Sequence, residues 1–395
     1  MSTTGDETNA TSTFQREEEP GLLERIGVKY YQYLSEKYGT SGLQNVDIDD
    51  LPPDNTLTSL ASNITAFAAV IGFGIGGLTT FVTIWVEWTY RADMDNVPYY
   101  LLYGSTLIVM LALEMAVLFW LGLKTVYSLA CLTGHNQTSP DNFLPGNDAV
   151  PNLLARAALE VPDPVIRYLG IDPIKHLSKS KLLFVAVLYK AKVVLSTALV
   201  KFVLVRSLGK GELRIALSWI GVPITGLWDA FTLYKVAREA RLRLFGNKLA
   251  EYIVNQLLTD EFVEQLSPKC REGAIRAVAT VMVFAENYHP NMLMLLVKLS
   301  KKFPSDAHCE YDNWHDFLAL LEQVDADERY FLLDLLCVSA AFDGRLSRLE
   351  RHHLPEAFKE FTELYMTRCE ALSKQLMNGQ LHAAKASCKL DFLPG

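Results

Sequence analysis

The sequence predicts an all-α protein: an integral membrane helical hairpin, a second amphipathic and apolar helical hairpin, and a soluble C-terminal helical domain. Three observations predict it. Residues 55–86 hold no charged side chain and residues 99–123 hold one, Glu114, and each run exceeds the roughly 20 apolar residues that cross a bilayer as a helix. Residues 182–205 and 215–233 are also apolar but carry Lys190, Lys192, Lys201 and Asp229. From residue 247 onward, apolar positions recur at helical spacing without any run of membrane length, the pattern of amphipathic helices around a soluble core.

Charge is segregated along the chain. Residues 1–56 have 11 acidic and 4 basic side chains, residues 167–248 have 4 and 15, and residues 249–395 have 22 and 15. The acidic C-terminal part argues against a nucleic-acid partner. The six cysteines form no CxxC pair, so free thiols in a reduced compartment are expected rather than a disulfide or zinc framework. The first 20 residues are polar and Glu-rich, so no cleavable signal peptide is expected.

The elements follow in order. Residues 1–56 read as a disordered acidic tail with one short amphipathic helix at 21–38, whose apolar positions are Leu22, Leu23, Ile26, Tyr30, Tyr33, Leu34 and Tyr38. Its tyrosines suit protein packing or lipid headgroups. A transmembrane hairpin occupies 57–133, with spans at about 62–88 and 99–127 edged by Trp85, Trp88, Tyr90, Tyr99 and Tyr100, as aromatic rings favour the interface. In the first span Ala68, Gly72, Gly76 and Thr80 are each four apart and make one smooth face, which allows close helix approach where no hydrophobic effect drives association. The second span is the expected partner of that face, and homo-oligomerisation through it is the alternative. Residues 134–180 form a polar loop.

Residues 181–246 make a basic helical hairpin with its joint at 207–211. Basic residues lie at both ends and around the tip. Lysines at bilayer depth are costly, and cations gather on the cytoplasmic side, so the hairpin either lies against anionic headgroups or crosses twice. Lys235, Arg238, Arg241 and Arg243 are the expected headgroup contacts. Residues 247–395 form the cytosolic all-α domain, with stops at His289-Pro290, Phe303-Pro304 and Asp343-Gly344.

Candidate chemistry is sparse. Glu114 is the sharpest intramembrane polar residue, and such groups face a partner or a water-filled path. It either hydrogen-bonds within the bundle, with Lys190 or Lys201 as ionic partners, or handles protons or ions. Asp229 is expected to cap or pair inside the hairpin. The run from Asp343 to Glu350 matches the second half of a calcium loop, but Ser339 and Ala341 stand where the first carboxylates belong. Ser347 as N-cap with Glu350 three residues on reads instead as a capping box. His308, Cys309, Asp312 and His315 suit no standard zinc spacing, and no phosphate loop or nucleophile elbow appears. No cofactor, no metal and no enzymatic activity are expected.

Residues 219–245, WIGVPITGLWDAFTLYKVAREARLRLF, resemble the closing part of the EcsC-like bacterial proteins, where an apolar Gly/Pro segment runs into a basic helix. With the EVPDP and GIDP turns upstream, the resemblance spans about 160–246. The segment AAFDGRLSRLE, residues 340–350, is similar to the core of the TerB-like helical domain, placed here around 329–376. The first resemblance implies a bacterial membrane protein. The second implies divalent-cation binding through acidic residues, with Asp343 and Glu350 the positions that correspond.

The expected function is that of a multi-pass inner-membrane scaffold or sensor, both termini cytoplasmic, presenting its helical domain to an unknown cytosolic protein. The rival is a transporter or channel component with Glu114, Lys190, Lys201 and Asp229 lining a polar path. Impermeant thiol labelling of single-cysteine variants in intact cells tests the topology. Asn96→Cys should label from outside. Protection of Ser207→Cys keeps the basic hairpin on the cytoplasmic side, and labelling there means four crossings.

Overall fold

Pro53 and Asp54 open the first long helix, proline fixing the extended entry and aspartate complementing the positive helix end. In the computed structural model, which describes residues 15–16, 22–38, 47–134, 143–144, 148–149, 166–167, 169, 171, 212–285, 289–303 and 309–390, the chain is all-α. Four two-residue strands pair as β1 (Gln15–Arg16) with β4 (Ile166–Arg167) and β2 (Phe143–Leu144) with β3 (Asp148–Ala149), both antiparallel. The expected arm at 182–205, with Lys190, Lys192 and Lys201, lies outside the described residues.

Helix α1 (Leu22–Tyr38) presents a different face from the expected one. Tyr31 and Leu34 are buried, while Ile26, Tyr33 and Tyr38 are exposed. Tyr31 meets Tyr127 edge to face at 5.4 Å between ring centres, a favourable aromatic geometry, so the helix packs on protein through a tyrosine that the apolar count passed over.

Helices α2 (Asp54–Tyr90) and α3 (Asn96–Leu132) are each 37 residues, about 55 Å at 1.5 Å per residue, and therefore longer than the spans read from hydropathy. Both are long and apolar enough to cross a membrane. Only 33% and 22% of their most apolar windows are buried. Their outward sides expose Phe67, Val70, Phe81, Leu101, Ile108 and Val109, and large exposed apolar areas mark membrane or partner interfaces.

The smooth face of α2 packs mainly on α4 (Glu212–Tyr252), a 41-residue helix antiparallel to it, and not mainly on α3 as the chain order suggests. The order of contacts fixes the direction: Trp219 sits against Phe81 and Trp88, Thr80 against Gly221, Phe73 against Gly226, and Gly72 against Leu233. Ala68 joins Leu121 of α3 and Leu233 of α4 in a small apolar cluster where the three helices meet. Glycine is required because the backbones are close. A Cβ on Gly226 would lie 2.8 Å from the Phe73 carbonyl oxygen, and one on Gly76 3.0 Å from the Thr225 carbonyl oxygen.

The expected boundary at 246/247 is absent. α4 runs through Gly246 and Asn247 without a break, and from Ala240 to Ala250 every residue is buried, as a helix in a core must be. It continues through a single π-turn (Ile253–Leu257) into a domain of α5 (Asp260–Gln265), α6 (Pro268–Phe284), α7 (Pro290–Lys302), α8 (Trp314–Leu321), α9 (Ala326–Ala341), α10 (Arg348–Phe358), α11 (Thr362–Asn378) and α12 (Leu381–Ser387), and α4 packs chiefly on α7, α11 and α12 of these. Thr259, Ser267, Asn313, Asp325 and Ser347 cap five of these by accepting backbone N–H groups. The expected stop at His289-Pro290 is where α7 begins, with His289 as its N-cap and Pro290 in its first turn.

The start of α2 is locked to the end of the chain. Asp54 accepts the backbone N–H groups of His382 and Ala383, both at 2.9 Å, and Asp49 pairs with Lys385.

Gly226→Ala should lower the melting temperature in detergent by the equivalent of about 1–3 kcal/mol of overpacking. Gly74→Ala, whose Cβ meets nothing within 4 Å, should leave stability unchanged or raise it by less than about 1 kcal/mol. Circular-dichroism melts of the two variants check this, and equal shifts would contradict the packing.

Candidate functional site

Two polar clusters lie along α4. The first is inside the apolar three-helix layer. Glu114 is 1% exposed, and the Thr79 hydroxyl of α2 donates to its Oε2 at 2.5 Å. Asp229, also 1% exposed, sets its backbone carbonyl against Gly72 and its carboxylate against Gly76. Both carboxylates therefore converge on the Gly76–Thr80 turn of α2, one from α3 and one from α4. Hydrogen bonding of Glu114 within the bundle was expected, and its partner is the Thr79 hydroxyl, a residue that the sequence reading did not name. Its signal was the position of Thr79, three residues after Gly76 on a face lined with hydroxyls.

Two buried carboxyl groups set against one turn of α2 in an apolar layer can do two things. It can fix helix register, since unsatisfied polar groups are costly there, or it can hold a proton or cation. Lys190 and Lys201, read as part of the same path, lie outside the described residues.

The second cluster sits at the junction of α4 with the helical domain. The Asp343-Gly344 turn places Gly344 at φ +75°, in the left-handed region that favours glycine. Asp343 Oδ1 accepts the Arg345 N–H at 3.0 Å. Ser347 and Glu350 form the capping box: Glu350 Oε2 accepts the Ser347 N–H at 2.6 Å, and the Ser347 hydroxyl oxygen accepts the Glu350 N–H at 3.0 Å. Facing them from α4 is Glu239, 2.9 Å from Arg243 and 3.7 Å from the buried His289. Asn291 ties the elements together, its side-chain amide donating to the carbonyls of Leu242 and Phe342.

Two of the four expected headgroup cations are not available to lipid. Arg241 and Arg243 are each 8% exposed, because the basic stretch runs on into the helical domain, where Arg243 pairs with Glu239. Lys235 and Arg238 stay at the surface, the first over the Phe231 ring and the second donating to Met377 Sδ. Among the described residues, Asp343 and Glu350 gain no third His, Cys, Asp or Glu close enough to share an ion.

Burial governs the titration of this cluster. Desolvation and the neighbouring Asp343 push Glu350 from 4.5 up to about 8, and burial likewise raises Asp343 against the opposing Arg345 N–H. Burial also opposes ionisation of Glu239, but hydrogen bonding to His289 and the Arg243 charge prevail and hold it below the usual carboxylate range.

No family model, no curated protein and no solved structure matches the chain. The EcsC-like and TerB-like resemblances rest on their residues.

The folded state keeps a proton on Glu350 that the unfolded chain releases near 4.5, so stability should fall as pH rises between about 4.5 and about 8 and level off above. Glu350→Gln preserves the capping box and should flatten that fall by up to about 1.36 kcal/mol per pH unit. Unfolding midpoints of both proteins at a series of pH values check this, and parallel profiles would refute it.

Proposed function

We propose that the chain is a membrane-anchored scaffold or sensor. The apolar layer of α2, α3 and the first half of α4 anchors it in a cytoplasmic membrane, with Lys235 and Arg238 near anionic headgroups, and the helical domain engages a cytosolic protein partner. One observation carries the reading: α4 is continuous from the apolar layer into the core of the helical domain. A rigid rod shared by two units transmits tilt or rotation between them, as helix shifts do in switching proteins. The Asp54 and Asp49 contacts to α12 add a second tie, so the domain is held at a defined orientation rather than on a flexible tether.

The second reading is transport. It is favoured by Glu114 and Asp229 converging on one turn of α2 within the apolar layer. In either reading α4 shares the depth of α2, so crossing by α2 brings Asp229 to the level of Glu114.

The anchor reading expects the full-length protein to stay with membranes after alkaline carbonate extraction. In vesicles of phosphatidylethanolamine and phosphatidylglycerol it should move no protons, and Glu114→Gln should leave partner recruitment intact. Release by carbonate would remove the anchor, whereas proton flux abolished by Glu114→Gln would replace scaffold with transporter.

A further inference from the structure

On α10, His352, His353 and Glu356 bring one liganding atom each to within 4.8 Å of one another. The spacing i, i+1, i+4 puts His352 and Glu356 one helical turn apart on the same face, and His353 Nδ1 already lies 3.2 Å from Glu356 Oε1. That separation suits a shared metal. Ligands about 2.0–2.2 Å from a tetrahedral ion stand about 3.3–3.5 Å apart, so a cation can replace the proton between them with only a small adjustment.

The supporting groups are also in place. Glu356 uses its second oxygen, Oε2, to accept the Trp314 indole N–H at 2.8 Å, which orients the carboxylate and helps hold it ionised, its pKa lowered by that bond and by His353. The His353 ring is stacked on Phe284 at 4.7 Å and 13°, with Trp314 edge-on at 6.2 Å. Hydrogen-bonded carboxylates and clamped imidazoles are the outer-shell features that tune metal sites. Two imidazoles and one carboxylate form a borderline donor set that selects zinc or a similar late first-row dication over calcium or magnesium.

We propose that His352, His353 and Glu356 form a surface site for a zinc-class dication, three protein ligands leaving one position for water or a partner's side chain. The site is distinct from the Asp343–Glu350 turn and does not depend on the membrane reading.

Calorimetric titration of the untagged full-length protein in detergent with ZnCl₂ tests it. One ion per chain is expected. His352→Asn should abolish binding at that site, and Trp314→Phe, which keeps the packing but removes the N–H, should weaken it roughly tenfold or more. Co²⁺ in place of zinc should give visible d–d absorption without a thiolate charge-transfer band. No uptake, unchanged affinity in folded His352→Asn, or a thiolate band assigning the metal to cysteine would overturn the proposal.

Discussion

The close approach of α2 and α4 is the constraint on which the rest depends. These two long helices with apolar outer sides meet through close backbone approach and polar contacts at small residues. Gly72, Gly76 and Gly226 make that proximity sterically allowed. Asp229 then sets its carboxylate against Gly76, and Trp219 settles between Phe81 and Trp88. If this contact opened, α4 would lose its direction, and the domain built around its second half would lose its orientation.

That same helix changes environment along its length without changing conformation. Its first half presents Ile220, Leu227 and Phe231 outward, while its second half is buried against α7, α11 and α12. The transition falls at Lys235 to Glu239, where surface cations give way to a buried charge cluster. The 8% exposed Arg243 is tolerated there because its guanidinium lies 2.9 Å from the Glu239 carboxylate.

Much of this was legible in the sequence. The two long apolar helices follow from charge-free runs, the capping box from Ser347 and Glu350, and the helix break from His289-Pro290. Three things were not. The partner of the small-residue face lies more than 140 residues away in sequence, and periodicity reports a face without its neighbour. The burial of Arg241 and Arg243 depends on helices that arrive later, so a basic run looked like a lipid-facing one. The role of Thr79 depended on which side of α3 carried Glu114, a rotation that composition does not encode. His352, His353 and Glu356 were readable as a spacing, but only the indole of Trp314 and the ring of Phe284, from other helices, give that spacing its geometry.

The Asp54 carboxylate binds backbone groups 328 and 329 residues away. Closing so long a loop is entropically slow and yields nothing until both ends exist. During synthesis, α2 and α3 therefore emerge and must find their environment before α4 is made, and α12 can dock only once it has itself been made. The contact between the first long helix and α12 thus joins an early part of the chain to a late one: a chain cut before α12 can form the apolar layer, but it cannot close the domain over its base.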